Sequence, residues 1–241
     1  KDNMWGYDRH TDQTVNIYSA FLQNEWKNDR WGILIGGRLD KHNMGDNVIF
    51  SPRANLRFNP TQNINLRLSY SSGFRAPQAF DEDMHIENVG GTVAMIERAK
   101  DLKEEKSQSF SVSADMYHRF GAFQTNLLIE GFYTRLTDVF VLGKPYDRGD
   151  GILVKTRSNG PGAKVMGLTL EGKVAYLSIL QIQAGLTLQR SRYDEPHKWH
   201  DDAPAEKKIF RTPDTYGYFT ATCTPIKPLS IALSGTYTGR M

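Results

Sequence analysis

Side chains alternate between apolar and polar along most of this chain, and that two-residue period constrains the fold more than any other feature. From Leu180 to Gln189, Leu180, Ile182, Ala184, Leu186 and Leu188 fall on one side, with Gln181, Gln183, Gly185, Thr187 and Gln189 on the other. Ile64, Leu66, Leu68 and Tyr70 oppose Asn63, Asn65, Arg67 and Ser69 in the same way. So do Phe110, Val112, Ala114 and Met116 against Ser109, Ser111, Ser113 and Asp115. Successive side chains of a strand point to opposite faces, so the pattern predicts sheet with one apolar and one polar face.

The alternation predicts about ten strands, at 13–27, 30–41, 47–59, 62–74, 107–118, 122–142, 151–178, 180–193, 214–225 and 228–240. Several exceed the roughly 5 to 6 residues of an ordinary globular strand. Ser158 to Gly162 interrupts the seventh segment, which reads as two strands or as one bulged strand. The connections alternate in length. Short ones fall at Lys27 to Arg30, Asn59 to Thr61, Arg119 to Gly121, Leu177 to Ile179 and Pro225 to Pro228. Long ones fall at 42–46, 75–106, 143–150 and 194–213. Outer-membrane barrels have short periplasmic turns and longer extracellular loops. Trp26, Trp31, Phe58, Phe120, Tyr133 and Tyr176 sit near strand ends, where a lipid–water boundary would place amphipathic rings.

Composition agrees with this reading and removes others. Mean hydropathy is −0.52, and no apolar run reaches the roughly 18 to 20 residues of a membrane helix. A barrel strand exposes only alternate residues to lipid, so a hydrophilic average is what a barrel predicts. No leader-like segment opens the sequence at Lys1. The single cysteine, Cys223, has no internal disulfide partner and excludes a multi-cysteine zinc site. A net charge of +3, evenly spread, does not point to nucleic acid. Enzyme signatures are absent: no P-loop, G-x-S-x-G, H-E-x-x-H or dinucleotide fingerprint occurs. No metal site and no cofactor are expected.

The segment Gly73-Phe74-Arg75-Ala76-Pro77 resembles the G-F-R-A-P stretch in the barrel of TonB-dependent outer-membrane receptors. Further matches follow in family order. Leu102-Lys103-Glu104-Glu105-Lys106-Ser107 is similar to the L-K-P-E-x-S step, with Glu104 where proline is usual. Gly131-Phe132-Tyr133, then Leu136-Thr137-Asp138, resembles the family's long strand. Gly167 to Gly172, with Glu171, is similar to its G-x-E-x-E/G strand start, and Arg211-Thr212-Pro213 to its R-x-P step. The resemblance implies an all-β fold: an antiparallel, up-and-down transmembrane β-barrel of roughly 22 strands closed by a plug. It implies import of a scarce, bulky nutrient (siderophore, haem, cobalamin or oligosaccharide) with energy from TonB, in the bacterial outer membrane. The implied partners are outer-membrane lipid, the plug of the same protein, the TonB complex and the nutrient ligand.

At about 24 residues per strand, a 22-strand barrel needs on the order of 530 residues. Residues 1–241 are therefore expected to be a partial barrel domain, without the plug and the final strands. Strands near 13–27 and 228–240 would then be open edges, and the isolated piece should aggregate or pair edge to edge.

Parity puts Glu25, Arg38, Asp40, Arg53, Arg57, Arg67, Asp115, Glu130, Glu171 and Lys173 on the face expected to line the lumen. Their plain role is a solvated or plug-packing surface. In the long loops, Tyr193 and Trp199 are candidates to stack on a ligand ring. His197 and His200, spaced i, i+3, lack a third metal ligand and read as an exposed pair. Val93, Ile96, Ala99 and Leu102 recur every three residues and predict a short amphipathic helix. Pro77 fixes φ and holds Ala76 extended at the loop entry. Arg148-Gly149-Asp150 reads as turn chemistry. Two rival readings are a porin-like channel and a soluble or secreted carbohydrate-binding β protein.

Overall fold

The computed structural model describes residues 2–4, 9–11, 14–43, 45, 47–77, 94–147, 149, 153–197, 204–209 and 212–240. Ten long antiparallel strands form its wall. They are β1 (Ile17–Lys27), β2 (Trp31–His42), β3 (Ile49–Thr61), β4 (Ile64–Arg75), β5 (Glu105–Phe120), β6 (Phe123–Thr137), β7 (Ala163–Tyr176), β8 (Leu180–His197), β9 (Thr215–Ile226) and β10 (Leu229–Thr238). Each pairs with its neighbour in sequence, so the wall is an up-and-down meander with no crossover. It is open: β1 and β10 each have one wall neighbour. Among the described residues there is no helix.

Every connection at one end is two or three residues long, from β1–β2 through β9–β10. Gly121, with φ of 60°, makes the β5–β6 turn possible without a Cβ clash. The other end carries the long connections.

Register makes the outer face apolar. Trp31, Ile33, Ile35 and Leu39 of β2 lie opposite Phe58, Leu56, Ala54 and Phe50 of β3. Phe58, Leu56 and Ala54 in turn face Leu66, Leu68 and Tyr70 of β4. These side chains stay exposed, Phe50 at 60% and Leu233 at 62%. A face this apolar and this uncovered matches a lipid solvent, not water. Two aromatic rows bound it. Near the short turns, Trp31 stacks on Phe58 at 4.3 Å, and Phe120, Phe123 and Tyr176 form a run at 5.5 and 4.9 Å. Towards the long connections, Tyr70 and Phe110 lie 4.7 Å apart beside Tyr133. Tyr133 is ten residues beyond Phe123 on β6. That spacing is ~33 Å along the strand, or ~25 Å of height at a tilt of ~40°, the thickness of an outer-membrane apolar band.

The structure corrects the sequence reading at the long-connection end. The expected strand 122–142 breaks after Thr137, where Asp138 takes a φ of 54°. The expected strand 151–178 is two strands, split at Gly160-Pro161-Gly162. Phe140–Leu142, Tyr146–Asp147 and Leu153–Asn159 leave the wall and build a small separate sheet. The segment expected to be helical contributes a strand instead: Ala94–Arg98 pairs in parallel with Leu153–Asn159. Hydrogen bonds from a partner over fifty residues away override the local three-residue spacing. Val154 and Arg157 are almost wholly buried in this sheet.

Candidate functional site

The inner, polar face of the wall brings together most of the predicted charged residues. Register alone puts Glu25 (β1), Arg38 and Asp40 (β2), Arg53 and Arg57 (β3), Arg67 (β4), Asp115 (β5), Glu130 (β6) and Glu171 and Lys173 (β7) on one side. Their charges are segregated. Basic side chains dominate β2 to β4, while Asp115, Glu130 and Glu171 stand on β5 to β7.

Asp40 is buried, accepting from Ser19 Oγ at 2.6 Å and from Arg38 Nε at 2.7 Å. The other three arginines have no ion pair among the described residues. Arg57 lies directly opposite Arg67, a like-charge cross-strand pair that costs stability. Gly32 gives Arg57 room to relieve it, and Gly36 gives Arg53 similar room. A Cβ at Gly32 would lie 3.2 Å from Arg57 Nε, and one at Gly36 would lie 3.4 Å from Arg53 Cγ. Both arginines therefore lie across β2, away from β4. A concavity of about 620 Å³ opens beside Arg53, lined also by Gln23, Arg38, Ser51, Asn55 and Ser71 among others. On the acidic half, Asp115 accepts from Tyr117 Oη at 2.9 Å and from Asn126 Nδ2.

The motif residues serve a different purpose: they tie the small sheet to the wall. The Arg75 guanidinium lies 4.7 Å over the Phe140 ring. Pro77 is buried, and its carbonyl accepts from Arg98 Nη1 at 3.0 Å. Glu105 Oε2 accepts from the Phe140 backbone N–H at 3.0 Å. Leu102 N–H closes a turn on the Ala99 carbonyl at 3.2 Å. Gly73 and Phe74 complete β4, where Phe74 stacks on buried His42 at 6.1 Å. Gly167 sits on the polar face, where a Cβ would lie 2.6 Å from Phe132 Cζ and from the Leu188 carbonyl oxygen.

Glu104, which stands where the family's proline is usual, is buried and pairs with Lys106 at 3.1 Å. Burial pushes its carboxyl up. A backbone hydrogen bond, the hydrogen bond from Lys106 and the charges of Lys106 and His42 outweigh burial and hold it below the usual range.

Of the loop candidates, Tyr193 lies within β8, half-buried opposite Ala163, because β7 and β8 keep pairing to that point. His197 ends β8 opposite Glu206 of the short strand Glu206–Lys208, so the loop starts later than expected. Trp199 and His200 lie outside the described residues, as do Arg148, Asp150 and Arg211. Among the described residues no group of three His, Cys, Asp or Glu side chains could hold a metal. Sequence reasoning missed Asn159, which holds Lys103 and Asp138 by their backbones. Its only sequence signal is the Ser158-Asn159-Gly160 break.

The family model for the TonB dependent receptor-like β-barrel matches residues 2–240. Solved structures share the fold. They include the FrpB iron transporter from Neisseria meningitidis (F3-3 variant), at TM-score 0.66 and 16% identity over 93% of this chain and 33% of that one. The siderophore receptor PirA from Pseudomonas aeruginosa aligns at TM-score 0.69 and 17% identity over 92% of this chain and 40% of its own. The ferric-catecholate import receptor Fiu from E. coli aligns at TM-score 0.66 and 13% identity over 93% and 34%. No curated protein sequence matches the chain. The chain thus spans about a third to two fifths of the length of these structures. Its unclosed ten-strand wall and apolar outer face agree with a barrel of the bacterial outer membrane. The chain belongs to the TonB-dependent receptor-like β-barrel family.

Proposed function

We propose that this chain forms part of the barrel of an active outer-membrane transporter that imports a scarce, bulky nutrient with energy delivered through TonB. Family membership over residues 2–240 carries the reading. FrpB is an iron transporter, PirA a siderophore receptor and Fiu a ferric-catecholate import receptor, and a further structural neighbour, OprC, is a copper transporter. A metal chelate is accordingly the first substrate class to test, ahead of cobalamin or an oligosaccharide. The protein does no chemistry on the cargo. In this reading residues 1–241 are a partial barrel, and the plug and remaining strands belong to the same full-length protein.

Arg38, Asp40, Arg53, Arg57, Arg67, Glu130, Glu171 and Lys173 line the lumen, where they meet the plug or the passing ligand. Arg53, Arg57 and Arg67, without an ion pair among the described residues, favour anionic groups on whatever passes or packs there. Tyr193, His197, Trp199 and His200 belong to the capturing end. The porin-like and soluble carbohydrate-binding readings gain no support from the comparisons.

Uptake of radiolabelled ferric chelates by a strain lacking the full-length gene tests the proposal. Loss of uptake, restored by the gene only when TonB is intact, is the expected result. Uptake that persists without TonB would mean passive diffusion and overturn it.

A further inference from the structure

We propose that Asn159-Gly160 is a modification site: a spontaneous deamidation, held back while the small sheet stays docked on the wall, that turns the Asn159 amide into a carboxylate and loosens the junction irreversibly. Asn159-Gly160 is the only Asn-Gly step in the sequence. A glycine after asparagine leaves the following backbone nitrogen least hindered, because it carries no Cβ. Packing favours that glycine here, since a Cβ at Gly160 would lie 2.6 Å from Val141 Cγ1. The contact that shapes the junction therefore also keeps the step reactive.

The chemistry needs only water. The Gly160 backbone nitrogen attacks the Asn159 side-chain carbonyl carbon, Cγ. A C–N bond forms, the Cγ–Nδ2 bond breaks, and the Gly160 N–H proton leaves with Nδ2 as ammonia. Water then opens the cyclic imide at either of its carbonyls. The product at position 159 is aspartate or isoaspartate, and nothing is oxidised or reduced.

Both reacting groups are occupied in the folded chain. Gly160 N–H donates to the Val139 carbonyl at 2.7 Å. Asn159 Oδ1 accepts from the Lys103 N–H at 2.8 Å, and Nδ2 donates to the carbonyls of Lys103 at 3.1 Å and Asp138 at 2.8 Å. Ring closure requires the side chain to leave Lys103 and Asp138, and Gly160 to leave Val139. The reaction thus proceeds from a locally opened junction, at the intrinsic rate scaled by the open fraction. The product cannot restore the clamp. A carboxylate has no N–H to donate, so the Lys103 and Asp138 carbonyls lose their donor and face a negative charge. The isoaspartyl form also adds a methylene to the main chain where the strand Leu153–Asn159 ends.

Peptide mapping by mass spectrometry, on the full-length receptor aged in mildly alkaline buffer, tests the site. A synthetic peptide of residues 153–164 supplies the unprotected rate. The folded receptor should convert at position 159 at least about tenfold more slowly than the peptide. Ile96→Pro breaks the parallel pairing at Ile96↔Lys155 and should close most of that gap. Gly172→Ala, far from the junction, should convert at the wild-type rate. Equal rates in folded receptor and peptide, or no conversion in Ile96→Pro, would overturn the proposal. If Ile96→Pro fails to assemble, low urea on the wild type carries the test, and a conversion rate that ignores urea overturns the gating. Aged wild type and fresh Asn159→Asp should both show faster hydrogen exchange at Lys103 and through Ala94–Arg98, and unchanged exchange in either would overturn the loosening. Transport plays no part in these readouts, so they succeed or fail independently of the transport reading.

Discussion

Asn159 grips Lys103 twice, across 56 residues of sequence: its Oδ1 accepts from the Lys103 backbone N–H at 2.8 Å, and its Nδ2 donates to the Lys103 carbonyl at 3.1 Å. The same amide nitrogen donates to the Asp138 carbonyl at 2.8 Å. One side chain thus replaces three backbone pairings where the small sheet meets the wall.

Asn159→Ala should loosen that junction. The two Lys103 contacts are exposed and only the Asp138 contact is part-buried, so losing the amide costs about 1 kcal/mol. Hydrogen exchange of the full-length protein should speed up at Lys103 and through Ala94–Arg98, with β2 and β3 unchanged. Unaltered exchange at Lys103 would mean that the amide is dispensable.

Glu104 should make the same region acid-sensitive. Its carboxyl titrates below the usual range when folded, so its contribution is present above the unfolded value and is lost as pH falls through the folded one. Local exchange next to Lys106 should rise in acid, below the ordinary carboxylate range. Glu104→Gln should remove that pH dependence while leaving acid effects elsewhere in the barrel intact.

Gly167→Val should impair assembly of the wall. A Cβ there would lie 2.6 Å from backbone at Leu188 and 2.6 Å from the Phe132 ring, and backbone cannot yield as a flexible side chain can. Less heat-modifiable, folded protein in outer-membrane fractions is expected. Gly172→Ala, where a Cβ meets nothing within 4 Å, serves as the matched control and should assemble normally.

Trp31 should report the lipid boundary. It is 43% exposed on the outer face and stacked on Phe58. The fluorescence lost in Trp31→Phe should be quenched by lipids brominated near the headgroup more than by lipids brominated near the chain end. The reverse order would move the short-turn row into the bilayer centre.

The wall was legible in the sequence because its information is local. A period of two and a turn of two or three residues set each strand, each face and each neighbour, so Arg53, Arg57 and Arg67 could be assigned to one side from parity. The small sheet was not legible because its pairing is remote. Nothing near Ala94–Arg98 announces a partner at Leu153–Asn159, and the spacing of Ile96, Ala99 and Leu102 mimics a helix. The clamp at Asn159 stayed hidden for a related reason. An amide that spends its hydrogen bonds on distant backbone leaves no periodic trace. The sign of Arg53, Arg57 and Arg67 showed in the sequence, but that they have no ion pair among the described residues emerges only from geometry.

The parallel pairing of Ala94–Arg98 with Leu153–Asn159 also has a mechanical side. It splices the β4–β5 and β6–β7 connections over five consecutive residue pairs. Neither can swing alone, since lifting one strains the seam shared with the other. A force on Ala94–Arg98 is therefore carried through that seam to Leu153–Asn159, and the described parts of the two connections are coupled mechanically.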